Sequence, residues 1–124
     1  MATRASVLQR SKKVETRVAK YLWGEDAARD WKDDYDVSGD DADGRRWIGE
    51  VKSYAWPSGS ARLLSILGAA LEQAEKHSDR AFSILVPTNC EVANALVMLR
   101  REGIPVVMGA QAFRGSVLGL GEAE

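Results

Sequence analysis

The stretch that decides the fold is DVSGDDADGRRWIGEVK, residues 36–52. Apolar and polar residues alternate at both of its ends, which predicts two β-strands, and residues 39–45 between them have the composition of a turn around Asp43. If Asp36 lies opposite Glu50, the apolar residues of both strands fall on one side and the loop has about five residues. The stretch therefore predicts an antiparallel hairpin in this register.

Helices and further strands are predicted on both sides of the hairpin. Apolar stripes at helical spacing predict one helix before it, over residues 5–23, and one after it, over residues 61–77. The later segments are predicted as a buried strand (81–87), a helix (90–102) ended by Gly103, a buried strand (104–108) whose valine-rich run indicates a sheet covered on both sides, and a frayed tail from Gly115. The predicted order is αββαβαβ, a mixed α/β sandwich around one sheet.

The composition is that of one globular domain. The chain has 124 residues, of which 45% are apolar and 28% charged, so we expect residues 1–124 to form a single domain with its own core. Cys90 is the only cysteine and cannot form an internal disulfide. No apolar run approaches the ~20 residues needed to cross a bilayer. The expected protein is soluble and cytoplasmic, without a membrane partner.

The charges are unevenly distributed along the chain. Residues 1–24 carry six basic side chains and one acid, whereas residues 25–50 carry ten acids and four bases. Two solvated faces would account for this pattern. A basic element beside an acidic one is also what a metal site facing a polyanion requires.

The hairpin register places two carboxylates across a strand pair. Asp36 and Glu50 would have Cβ atoms ~4.5–5.5 Å apart, and two like charges so placed destabilise a sheet unless a cation lies between them. Mg²⁺ prefers oxygen ligands and retains several waters, so two carboxylates are a plausible part of its site. Lys52, two residues after Glu50 and on the same side, would orient a water or stabilise charge on a phosphoryl group. The pattern is typical of metal-assisted phosphodiester hydrolysis.

These residues resemble the PD-(D/E)xK nuclease superfamily, which includes restriction enzymes and Holliday junction resolvases. The resemblance covers residues 10–87 and rests on Asp36-Val37 and on the strand WIGEVK, residues 47–52. The helix SKKVETRVAKYL is similar to the first helix of archaeal- and phage-type resolvases, in which a glutamate, here Glu15, adds to the metal site. Gln73 resembles the glutamine that some members place beside the catalytic lysine. The resemblance implies a restriction-endonuclease-like mixed sheet flanked by helices.

The first carboxylate is open to a second interpretation. The residue before Asp36 is Tyr35 and not the proline of the motif. Asp40 and Asp41 are alternatives, and Asp40 precedes Glu50 by ten residues, a spacing also found in resolvase-like relatives. We prefer Asp36 because Val37 follows it and because residues 40–43 have the composition of the turn itself.

The resemblance implies a Mg²⁺-dependent DNA endonuclease, with Mn²⁺ as a substitute and a Holliday junction resolvase as the first choice. Such an enzyme acts in DNA recombination or repair and is frequent in phages, which would place it in the host cytoplasm. Symmetric cutting of branched DNA would require a homodimer. The alternatives are a nuclease acting on flap, nicked, single-stranded or duplex DNA, and a non-catalytic DNA-binding subunit. The expected metal ligands are Asp36, Glu50 and the Val51 carbonyl, and the expected phosphate contacts are Lys12, Lys13, Arg17 and Lys20.

Overall fold

The computed structural model describes residues 4–24, 36–55 and 60–121. Three α-helices, five β-strands and two short helical turns are found in these segments. In chain order they are α1 (Arg4–Trp23), β1 (Val37–Asp40), β2 (Arg46–Tyr54), α2 (Ser60–Glu75), β3 (Ala81–Pro87), a 3₁₀ turn (Val92–Asn94), β4 (Leu96–Arg101), β5 (Ile104–Gly109), α3 (Ala110–Ala112) and a π-helical turn (Phe113–Val117).

The strands form one mixed sheet in the order β1-β2-β3-β4-β5. Only β2 and β3 are parallel, and α2 is the crossover that joins them; the other neighbours are antiparallel. The α/β class, the helices over 5–23 and 61–77 and the strand over 81–87 are confirmed. In the described segments, no helix is long and apolar enough to span a membrane.

The β1–β2 hairpin has the predicted register. Val37 pairs with Gly49 and Asp40 pairs with Arg46, which leaves a loop over residues 41–45 centred on Asp43. Val37 and Val51 are buried in the same apolar cluster, as the alternation requires. The alternation that predicts the first strand begins at Trp31, and residues 31–35 lie outside the described residues.

The predicted helix over 90–102 is wrong. Residues 92–94 form a 3₁₀ turn, and β4 follows as an inner strand between β3 and β5. Its consecutive residues Val97, Met98 and Leu99 are all at most 4% exposed, because both faces of an inner strand are covered. Gly103, which was expected to end a helix, instead has a φ of +80° in the turn between β4 and β5. The order of the main elements is therefore αββαβββ.

Two further expectations about the C-terminal part are wrong. The strand over 104–108 is not covered on both sides, since β5 is an edge strand and its Ile104 is 64% exposed. The segment from Gly115 to Gly121 is not frayed, because Leu118 is buried and its carbonyl accepts a hydrogen bond from the Ala42 backbone N–H. Packing of these apolar residues under the hairpin loop outweighs the glycine content.

The apolar core has one part on each face of the sheet. On one face, α1 and the segment around Phe113 pack on β1, β2 and β3; on the other, α2 covers β2 and β3 through Leu67 and Leu71.

Glycine is required where α1 and Phe82 approach the hairpin. A Cβ on Gly49 would lie 2.3 Å from Phe82 Cζ, and Phe82 is fully buried.

Gly49→Ala should therefore destabilise the protein by about 1–3 kcal/mol, because the buried Phe82 ring cannot move aside without strain. Urea denaturation would measure the change in the free energy of unfolding. Gly68→Ala in α2 is the matched control, since a Cβ there meets open space, and it should stabilise the helix by about 0.5–1 kcal/mol. Equal effects of the two substitutions would contradict this account.

Candidate active site

Asp36 stands immediately before β1 and is held there by the neighbouring strand. Its Oδ2 atom accepts a hydrogen bond of 2.8 Å from the backbone N–H of Val51. Because Val37 pairs with Gly49, Asp36 is level with Glu50. The hydrogen bond therefore fixes the Asp36 carboxylate beside the middle of β2, where the described part of the β1–β2 ladder begins.

Glu50 is the only buried charged side chain in the described part of the chain, at 9% exposure. Loss of hydration raises its pKa to about 7, and the charge of Asp36, a hydrogen bond between the two carboxyl groups and the charge of Glu15 act in the same direction. The charge of Lys52 opposes them. Near neutral pH the Glu50 carboxyl therefore carries a proton in part of the molecules.

Lys52 and Glu15 reach this site from different elements. Lys52 is half-buried and follows Glu50 by two residues on β2, so both side chains project from one side of the sheet. Glu15 is half-buried on α1, and its charge acts on Glu50. The other three side chains predicted to be catalytic are thus all close enough for their charges to act on Glu50, namely Asp36, Lys52 and Glu15.

Gln73, predicted to lie beside Lys52, is placed elsewhere. Its side chain is exposed, and its Oε1 atom accepts a hydrogen bond of 3.4 Å from Lys76. Helix α2 runs back along the sheet, and its Leu67 carbonyl accepts a hydrogen bond from Ser83 near the middle of β3. Gln73 follows Leu67 by six residues, so it lies about 9 Å further along the helix, toward the start of β3 and away from Lys52. The described geometry therefore places Gln73 away from Lys52, on the exposed side of α2.

The two alternative first carboxylates have other partners. Asp41 accepts hydrogen bonds from three N–H groups of the hairpin, two in the loop and one on β2. These bonds lower the pKa of its carboxyl, and the backbone bond from the Arg45 N–H is the largest cause. Asp40 is exposed and lies 3.6 Å from the guanidinium of Arg46 across the hairpin. The donors to Asp41 are Asp43 N at 2.9 Å, Arg45 N at 3.0 Å and Trp47 Nε1 at 3.0 Å. Asp41 therefore shapes the loop as an Asx turn does, and Asp36 is the carboxylate beside Glu50.

The donor set suits a hard divalent cation. Among the described residues, no three or more Asp, Glu, His or Cys side chains are gathered closely enough to form a complete metal cluster. Asp36 and Glu50 nonetheless place two carboxyl groups within hydrogen-bonding distance of each other, and a cation can replace the proton between them. Mg²⁺ is commonly held by one or two carboxylates and completes its shell with water and substrate oxygens. The residues present therefore fit Mg²⁺ or Mn²⁺.

The basic side chains predicted to contact phosphate lie on the outer side of α1. All four are exposed, and three of them line an open hollow of about 350 Å³ together with Thr16. Arg17 also donates a hydrogen bond of 2.7 Å to the Cys90 carbonyl, which ties α1 to the loop after β3. The four residues are Lys12, Lys13, Arg17 and Lys20.

Sequence reasoning missed the part that Ser83 plays at the site. Ser83 is fully buried, pairs with Glu50 and donates a hydrogen bond of 2.8 Å to the Leu67 carbonyl. This bond holds α2 on the sheet beside Glu50, so it helps to keep Glu50 out of water. The signal was a lone hydroxyl inside the apolar run AFSILVP, residues 81–87.

Comparison of the chain with protein-family models, with curated proteins and with solved structures finds no match. The resemblance to the PD-(D/E)xK nucleases therefore stays a prediction that rests on the residues and their geometry.

The raised pKa of Glu50 has a consequence for stability in the absence of metal. The pKa in the folded state, about 7, is above the ordinary value of 4.5, so its contribution to stability is present below pH 4.5 and is lost as the pH rises through 7. In the presence of a chelator, Glu50→Gln should remove a pH-dependent loss of about 2 kcal/mol, an amount that allows for solvent screening.

Urea denaturation of wild type and variant between pH 5 and pH 8 would measure this difference. Asp40→Asn, which changes an exposed carboxylate on β1, is the matched control and should retain the wild-type slope. Parallel stability curves for wild type and Glu50→Gln would show that Glu50 ionises normally.

Proposed function

We propose that this protein is a Mg²⁺- or Mn²⁺-dependent endonuclease that hydrolyses phosphodiester bonds in DNA. The observation that carries the proposal is the juxtaposition of Asp36 and Glu50 at the hydrogen-bonded start of the hairpin, with Lys52 on the same side of β2. A hydrophobic residue in place of Glu50 would be more stable at this buried position. The position of Asp36 beside the buried Glu50 is explained if the two carboxylates bind a cation.

The two carboxylates, the cation and Lys52 would have different roles in the hydrolysis. Asp36 and Glu50 would hold the cation, with the Val51 carbonyl as a further ligand, and Glu15 would add negative charge from α1. When bound, the cation supplies Lewis-acid activation of water and neutralises charge on the phosphoryl oxygens. The Lys52 ammonium would orient the attacking water and stabilise the charge that develops on the phosphoryl group. The hydrogen bond from the Val51 N–H holds the Asp36 carboxylate in place before substrate arrives.

The basic side of α1 supports DNA as the substrate. Lys12, Lys13 and Lys20 are exposed on the solvent side of α1, whereas Glu15 is half-buried on the same helix and its charge acts on Glu50. One helix would therefore contact both the phosphates and the carboxylate site. Contacts of this kind position a nucleic acid without reading its sequence. The finer assignment, a Holliday junction resolvase acting as a homodimer in recombination, repair or phage DNA processing, follows from the resemblance of α1 and the hairpin to resolvases.

The direct test is cleavage of labelled four-way junction, flap, single-stranded and duplex DNA with Mg²⁺, with Mn²⁺ and with a chelator. Asp36→Asn, Glu50→Gln and Lys52→Ala should each reduce the rate about 10²–10³-fold, because each removes charge from the reacting centre. Asp40→Asn is the control on the same hairpin and should leave the rate within about twofold of wild type.

The outcomes separate the candidate functions. Paired, metal-dependent nicks in the junction would support a resolvase, and cutting of another structure would support a repair or processing nuclease. A protein that binds DNA but cuts none of these substrates in either metal would be a DNA-binding subunit, and the proposal would be wrong.

The phosphate contacts predict a salt-dependent affinity. In the Glu50→Gln background, which slows cleavage, Lys13→Ala with Lys20→Ala should reduce the slope of log affinity against log salt concentration by about two. Lys76→Ala, at the end of α2 on the other face of the sheet, should leave the slope unchanged. Fluorescence anisotropy with labelled duplex at several salt concentrations measures the slope for each variant. An unchanged slope in the double variant would remove α1 from the DNA interface.

A further inference from the structure

Tyr54 is an exposed aromatic residue at the end of the strand that carries Glu50 and Lys52. Its side chain is 47% exposed, and it is one of four large apolar residues left exposed in the described segments. Of these four, Tyr54 alone belongs to β2. Because side chains alternate along a strand, Tyr54 projects from the same side of the sheet as Glu50 and Lys52.

The backbone holds Tyr54 firmly although its ring is exposed. Tyr54 pairs with Pro87 in the parallel ladder, and the Tyr54 carbonyl accepts a hydrogen bond of 2.8 Å from the Thr88 N–H. Four residues along a strand is about 13 Å, so the ring lies within about four nucleotide steps of a phosphate bound at Glu50. An exposed ring on a fixed backbone at this distance is a suitable platform for a base of the strand being cut.

We propose that Tyr54 stacks on an unpaired base near the scissile phosphate and thereby selects DNA that offers one. This inference rests on the proposed function and adds the substrate class to it. In an intact duplex both faces of each base are covered by its neighbours, so an aromatic side chain stacks only on a base that has left the stack. Flaps and single strands supply such a base without the energy needed to flip one out. Tyr54 is thus a specificity-determining residue for unpaired DNA.

The test compares kcat/KM on two substrates of the same sequence, one with an unpaired segment beside the cleavage site and one fully paired. Tyr54→Ala should reduce the preference for the unpaired substrate about tenfold, because one stacking contact is lost. Tyr54→Phe retains the ring and should stay within about twofold of wild type. Ile104→Ala removes an even more exposed apolar side chain from β5, three strands away, and should change neither rate.

A second measurement does not require cleavage. In the Glu50→Gln background, DNA with 5-iodouracil in the unpaired segment should cross-link under ultraviolet light to the peptide that contains Tyr54. The fully paired substrate should give little of this product. Cross-linking reports stacking directly, so it remains informative if Tyr54→Ala folds poorly.

The two ideas can fail separately. If wild type cuts DNA and Tyr54→Ala retains the wild-type preference, the role of Tyr54 is wrong and the nuclease function stands. If no DNA is cut in either metal, the nuclease function is wrong, and cross-linking alone decides whether Tyr54 stacks on a base. Absence of a Tyr54 cross-link with unpaired DNA would overturn the inference in either case.

Discussion

The hydrogen bond from the Val51 N–H to Asp36 Oδ2 joins the folding of this protein to its chemistry. It occurs only in the register that pairs Val37 with Gly49, and a slip of one residue would move every side chain of β1 to the other face. The register that buries Val37 therefore also sets the Asp36 carboxylate beside Glu50. Burial of apolar surface supplies the free energy that holds these two like charges together.

The surroundings of Glu50 explain how a carboxyl group is kept in the middle of a sheet. Ser83 on β3 is hydrogen-bonded to the Leu67 carbonyl, so α2 lies firmly over this part of β2. Lys52 supplies the nearby positive charge, while Asp36 and the loss of hydration favour the protonated form. The balance is shifted toward the neutral acid, and this is the arrangement in which a bound cation would gain most by displacing the proton.

Helix α1 contributes to the site from the face of the sheet opposite the one that α2 covers. Its buried stripe, which includes Val18 and Leu22, packs on β1 and β2, and Glu15 lies at the border of that stripe. The opposite side of the helix carries exposed lysines. One amphipathic helix thus brings a third acid toward Glu50 and presents positive charge to solvent. The Arg17 bond to the Cys90 carbonyl fixes its position against the end of β3.

Local pattern by itself determined the hairpin, its five-residue loop, helices α1 and α2 and the strand over 81–87, because each has one clear period and nearby breaking residues. It also indicated Asp36, Glu50 and Lys52, which lie on or beside one strand pair. Only the tertiary structure decided that residues 96–101 are a strand, since an apolar run buried on both faces has no period that separates strand from helix. Likewise, Asp41 was assigned to the loop and Gln73 was moved away from Lys52 by contacts between residues that the sequence pattern cannot bring together.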